Sequence, residues 1–127
     1  MANKSRKKTI VKWLDQPEEH DYPAAASYLA LIFDATTVKK RVKLLQRAPM
    51  SAFKAKDIFR ASGLSLLGVS NSHVLRDRDK LEAGKALSPL LLVRHPRVSK
   101  VVIADGYHRL CAVYLFDEDA IIPCKIV

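Results

Sequence analysis

Apolar positions recur along this chain in two periods, and the change from one to the other marks how it is built. Asp21, Tyr22 and Pro23 open an alanine-rich segment predicted to be helical to about Phe33, with Pro23 near the first helical position, where its missing N–H costs nothing. A second helix is predicted to be capped by Thr36 or Thr37. Its Val38, Val42, Leu45 and Ala48 follow helical spacing, which turns Lys39, Lys40, Lys43 and Arg47 outward, and Pro49 stops it. From Phe53 two readings stand side by side: Phe53 and Ala55 alternate like a strand, while Ile58 and Phe59 read as a short helix ended by Gly63. Ser70, Asn71 and Ser72 form a cap cluster before a charged helix carrying Val74, Leu75 and Leu81, which Gly84 terminates. After Pro89 the pattern becomes that of buried strands. Residues 90–93 and 101–104 are short apolar runs rich in branched side chains, joined by the turn-like His95, Pro96, Arg97, Val98 and Ser99, and they predict a hairpin. Gly106 opens a helix to about Phe116, an acidic turn follows at Asp117, Glu118 and Asp119, and residues 121–127 supply a last strand. Residues 1–22 are polar apart from a knot of Ile10, Val11, Trp13 and Leu14, which is expected to dock on the rest.

Composition narrows the class. A chain of 127 residues with 49% hydrophobic and 28% charged side chains can bury a core without metal or disulfide staples, which excludes collagenous, disordered and cysteine-scaffold types. No apolar run approaches the ~20 residues of a membrane span and no signal pattern follows Met1, so a cytoplasmic protein with no membrane partner is expected. Cys111 and Cys124 lie in apolar segments without zinc spacing and read as buried reduced thiols.

The net charge of +9 is unevenly placed. Residues 1–60 hold 13 Lys and Arg against 6 Asp and Glu, a net of +7, whereas residues 61–127 hold 9 against 7, a net of +2. The excess falls in two clusters, Lys4, Arg6, Lys7, Lys8 and Lys12 in the tail and Lys39, Lys40, Arg41, Lys43 and Arg47 on one predicted helix. Such clusters either neutralise nucleic-acid phosphates or form a frayed tail and a solvated helix face; no interleaved aromatics suggest a stacking platform.

The most informative stretch is residues 101–116, where a buried strand runs through Asp105 and Gly106 directly into a helix. Glycine lets a ligand approach the backbone, and the free N–H groups of a first helical turn carry about half a unit of positive charge. The body of this helix is apolar throughout, so His108 and Arg109 in the first turn are its polar outlets. A cation there opposes the helix dipole unless an anion sits between them. Arg109 could grip a phosphate with two N–H groups, His108 could add one, and Asp105 could cap the helix or hold an accompanying metal; equally, Arg109 could pair with a nearby acid.

Residues 88–127 resemble the ParB/sulfiredoxin superfamily, through Pro89, the strands to Val93 and Ala104, Gly106, His108 and Arg109, and the closing Ile122, Pro123, Lys125, Ile126 and Val127. The similarity reaches back to Phe53. It implies an α+β fold, a ParB/sulfiredoxin-like small sheet with helices preceded by a helical N-terminal layer: a basic helical extension over residues 1–50, then the ParB/sulfiredoxin-like domain over residues 51–127. The resemblance also implies that the turn holds nucleotide phosphates, its Asp-Gly-x-His-Arg form being similar to the kinase-like branch. Sulfiredoxins place their catalytic cysteine where this chain has Tyr107, so sulfiredoxin activity is not expected, and Cys111 one turn on reads as a core thiol. The Gly-Glu-Arg-Arg turn and downstream helix-turn-helix of ParB proteins are missing from these residues, so centromere binding is not expected either.

Asn71, Ser72 and His73 precede their helix where this superfamily adds a second wall to the nucleotide site, followed by Arg76; they read either as phosphate contacts or as an ordinary cap with a solvated face. Glu82 is the nearest candidate base for a kinase. Glu18, Glu19, His20 and Asp21 read as a helix-start acid run without metal geometry. The expected function is therefore a nucleoside triphosphate-binding regulator or NTPase, taking ATP or CTP with or without Mg2+. The alternatives are a small-molecule phosphotransferase and a nonspecific DNA-binding protein or nuclease working through Lys39, Lys40, Lys43 and Arg47.

Overall fold

A computed structural model describes residues 10–98 and 100–127. Ser99 and the tail cations Lys4, Arg6, Lys7 and Lys8 lie outside the described residues. In chain order the elements are α1 (Asp21–Leu29), α2 (Ala35–Arg47), β1 (Ser51–Lys54), α3 (Ala55–Ser62), α4 (Ser72–Glu82), β2 (Leu90–His95), β3 (Lys100–Asp105), α5 (Tyr107–Phe116) and β4 (Ile121–Ile126). The chain is therefore α+β, as its two periodicities predict.

The four strands form one mixed sheet in the order β1-β4-β2-β3, with β2 parallel to β4 and the other pairs antiparallel. Side chains alternate across a strand, and β2 shows the result. Leu90 and Leu92 enter a core with Ile58, Leu81, Leu110, Val113 and Ile122 beneath α3, α4 and α5, whereas Leu91 and Val93 enter a second core with Tyr22, Ala25, Leu29, Val38 and Leu45 beneath α1 and α2. A strand covered on both faces reads as a continuous apolar run, which is why residues 90–93 carry no polar position. Pairing of β4 with β2 begins at Cys124, one residue past Pro123, so the proline's missing donor falls outside that parallel ladder.

The helical N-terminal layer is thus the cover of one sheet face. It is tied to the last strand by Lys125, only 4% exposed, whose Nζ donates to the Gln46 carbonyl at 3.0 Å and lies 5.8 Å from the centre of the Tyr22 ring. Gln46 is in the last turn of α2, where free carbonyls and the negative end of the helix dipole favour a cation.

Local sequence explains most boundaries, with three differences from expectation. α1 stops at Leu29 rather than near Phe33, and the chain continues through turn bonds such as Leu31 N–H to the Tyr28 carbonyl at 3.1 Å. The cap of α2 is Asp34 and not Thr36 or Thr37, because its carboxylate accepts the Thr37 N–H at 2.8 Å, the third N–H of the helix. The two readings around Phe53 hold in succession, a four-residue strand and then a helix closed by Gly63 at φ 69°. The N-terminal knot docks through Val11 and Trp13, with the Leu87 N–H donating to the Lys12 carbonyl at 2.8 Å, while Ile10 stays exposed. Leu75 also faces outward. Cys111 and Cys124 are buried free thiols; burial raises both, Cys124 to about 11, so neither is a nucleophile at neutral pH. Among the described residues no helix is long and apolar enough to cross a membrane.

Candidate functional site

The turn from β3 into α5 is built around Gly106. Its φ of +107° lies in the left-handed half of conformational space, and a Cβ placed there would stand 2.7 Å from Leu90 Cγ and 3.0 Å from an Arg109 nitrogen. Glycine brings the turn against the start of β2. As the N-cap of α5 it has no side chain, and no side chain among the described residues caps the helix in its place. The N–H groups of the first turn therefore carry no intrahelical partner.

Around this turn the fold gathers polar groups from four parts of the chain. A cavity of about 300 Å³ is lined by Asp105, Gly106, Tyr107, His108 and Arg109 from the turn, by Arg76, Asp77 and Lys80 from α4, by Ser88 before β2, and by Glu18 and His20 before α1. The sequence-predicted residues Asp105, Gly106, Tyr107, His108, Arg109 and Arg76 thus share one wall or another of a single cavity. His73 stands at its edge, its ring centre 4.9 Å from that of His108, and its Nδ1 accepts a hydrogen bond from Arg76 at 3.2 Å. Asn71 is engaged elsewhere: its side-chain oxygen accepts the N–H groups of His73 at 2.9 Å and Val74 at 3.2 Å, capping α4. Ser72 is exposed and does not line the cavity. Nor does Glu82, which sits in an exposed pair with Arg78 at 3.4 Å.

Arg109 does find an acid. Its terminal nitrogen donates to Asp105 at 2.9 Å and to the Pro89 carbonyl at 3.4 Å, both side chains of the ion pair being 17% exposed. Its Nε is buried without a hydrogen-bond partner among the described residues, so the guanidinium is only partly used. Burial raises Asp105 above the ordinary carboxylate range; Arg109 works against that shift, and the neighbouring Asp21 adds to it. Asp21 is 3% exposed and accepts from Ser88 Oγ and from the Glu18 N–H at 3.0 Å. Ligand atoms of Glu18, His20 and Asp21 come within 4.8 Å of one another, a spacing that could hold a metal ion where the sequence suggests only a helix-start acid run, and Asp21 also accepts the hydrogen bonds from Ser88 and Glu18. Burial also lowers His108, with His73, Arg76 and Arg109 pushing the same way and Asp77 opposing, so its imidazole is neutral at neutral pH.

Asp77, 6% exposed, lines the cavity close enough to His108 to act on its charge. The Tyr107 hydroxyl leaves the cavity and donates to the Ser65 carbonyl, pinning the α3–α4 loop to the start of α5. Sequence reading missed Asp77, Lys80, Ser88, Glu18 and His20. A signal existed for two of them, since His73, Arg76, Asp77 and Lys80 recur at steps of three and four along one helix face. None existed for Ser88, Glu18 and His20, which only tertiary packing brings to the turn.

A second cavity of about 240 Å³ lies between α3 and the opposite end of the sheet, lined mainly by Phe53, Ile58, Ala61, Leu92, Val101 and Ile126. Its walls are mainly apolar, and among the described residues its titratable groups are Asp57 and Arg94, so they offer no comparable set of acids, bases and imidazoles.

No family model matches this chain, and no curated protein or solved structure matches it either.

Proposed function

We propose that the chain binds the phosphates of a nucleoside triphosphate, ATP or CTP, at the start of α5, and acts as a nucleotide-binding regulator or NTPase. The observation that carries this reading is an uncapped helical first turn opening into a cavity shared with Arg76, Lys80 and Arg109. Free N–H groups at a helix start and guanidinium forks are the usual holders of phosphate oxygens. The resemblance of the Gly-x-His-Arg turn to the ParB/sulfiredoxin superfamily supports the same reading.

The cavity also carries Glu18, Asp77 and Asp105. A bare polyanion would meet these carboxylates unfavourably, whereas a phosphate accompanied by Mg2+ would not, because that ion takes oxygen ligands from carboxylates and phosphates together. The buried Asp77 on the cavity wall fits such an ion, and Mg2+ would supply charge neutralisation between the acids and the phosphates.

Thermal shifts with ATP, CTP, GTP and ADP, each with and without Mg2+, test this, since a ligand that binds only the folded state raises its melting temperature. Arg109→Ala should remain folded and lose the shift. A panel without any shift, or an unchanged response in Arg109→Ala, overturns the assignment.

A second reading rests on α2. Its Lys39, Lys40, Lys43 and Arg47 are all exposed, the helix contains no acid, and none of the four is in an ion pair among the described residues. Such a face would bind duplex DNA without sequence preference, weakening steeply between ~50 and ~200 mM salt. Changing all four to Gln should flatten that dependence, and no band shift at low salt would reject the reading while leaving the nucleotide site untouched.

A further inference from the structure

The segment 105–108 has two sides. Across it from the polar cavity lies another of about 400 Å³, formed by Ala24 and Tyr28 of α1, Leu64 of the α3–α4 loop, and Ile103 and Ala104 of β3, with Asp105, Gly106, Tyr107 and His108 common to both. The two cavities therefore share the wall formed by residues 105–108, and each falls within or at the lower edge of the ~300–1,000 Å³ of small-ligand sites. Their chemistry is opposite. One presents guanidinium, ammonium, imidazole and carboxylate groups, the other, apart from the shared Asp105 and His108, phenol rings and aliphatic side chains.

Two details of the apolar side point to an occupant. Tyr28 and Leu64 come from separate elements and remain 42% and 41% exposed, large apolar groups left partly in water on the cavity wall. The loop bearing Leu64 is held in place by the Tyr107 hydroxyl on the Ser65 carbonyl, so the wall is tied to the same helical turn that offers its N–H groups to the anion. A ligand that fills both sides joins a polyanion to a flat apolar group. Inorganic phosphate or a sugar phosphate would leave the second cavity wet.

We propose that the Tyr28–Leu64 cavity seats the nucleobase of a nucleoside triphosphate whose phosphates lie across residues 105–108. The assignment rests on the phosphate reading above and adds its specificity: the base stacks on Tyr28, an element outside the part of the chain that carries the superfamily resemblance. Stacking on an aromatic side chain tolerates any base, because every base has a π-face.

Calorimetric titration of the whole chain with inorganic triphosphate, ATP and CTP, all with Mg2+, separates the two halves of the site. The nucleotides should bind about tenfold more tightly than inorganic triphosphate, and Tyr28→Ala should remove that advantage while leaving the inorganic ligand within about twofold. Leu64→Ser, at an exposed loop position, should do the same if Tyr28→Ala fails to fold. Tyr28→Trp should keep nucleotide affinity and show fluorescence quenching by nucleotide but not by inorganic triphosphate, relative to the wild-type signal of Trp13. If inorganic triphosphate binds as well as the nucleotides, or if Tyr28→Ala and Leu64→Ser leave the ratio unchanged, the base assignment is wrong and the phosphate reading stands. If neither kind of ligand binds, both fall.

Discussion

Gly106 and Arg109 carry the site at the scale of single residues, and each can be probed apart from any ligand. A methyl group on Gly106 meets Leu90 Cγ at 2.7 Å in a backbone conformation that L-residues avoid. Gly106→Ala should therefore cost about 1–3 kcal/mol, read from urea denaturation, and a loss below a few tenths would mean that β2 and the turn readily separate. Arg109 leaves a signature in pH. Burial makes Asp105 ionise at a higher pH in the folded chain than the ordinary 3.8, so its contribution favours folding fully below that value and is lost as pH rises through the folded one. Arg109→Ala removes the main opposing influence and raises the folded value further. Its stability deficit should then be larger at pH 7 than at pH 4, and an equal deficit at both would show that the ion pair does not govern Asp105.

Among the elements, α4 presents two functions on one helix, a cap at its start and a cavity wall along one face. The structure assigns Asn71 to the first, so Asn71→Ala should lower stability by about 1 kcal/mol while inorganic triphosphate affinity stays unchanged. A drop in affinity without loss of stability would place Asn71 on the ligand instead. The same helix shows what sequence can and cannot reveal. α2 was legible from its helical period, α5 from the glycine that opens it, and the β2–β3 hairpin and β4 from their short apolar runs. β1 was ambiguous because four residues, three of them exposed at Ala52, Phe53 and Lys54, leave no alternation to read. The site was half legible: the turn at 105–109 announces itself locally, whereas its union with His20, Asp77 and Ser88 depends on α1 and α4 being folded against it. The sequence does not separate Asp34 from Thr36 and Thr37 as the cap, since both residue types cap helices and only the geometry chooses among the three positions.

The described residues form a sheet whose strand β2 is covered on both faces, with the polar cavity at one end and the apolar 240 Å³ cavity at the other. Each core combines residues from both halves of the chain, and Lys125 fastens the N-terminal cover to β4. One consequence of the strand order concerns synthesis. Of the described strands β4 is the last to emerge, yet it lies between β1 and β2, and β1 has no other partner among the described residues. While the ribosome is still adding residue 120, β1 has waited through three helices and a hairpin with its N–H and C=O groups unpaired, and Ile122 and Cys124 are absent from the larger core. Nascent chains arrested before residue 121 should accordingly be cut readily by protease near β1, and resistance should arrive abruptly once residues 121–126 clear the exit tunnel.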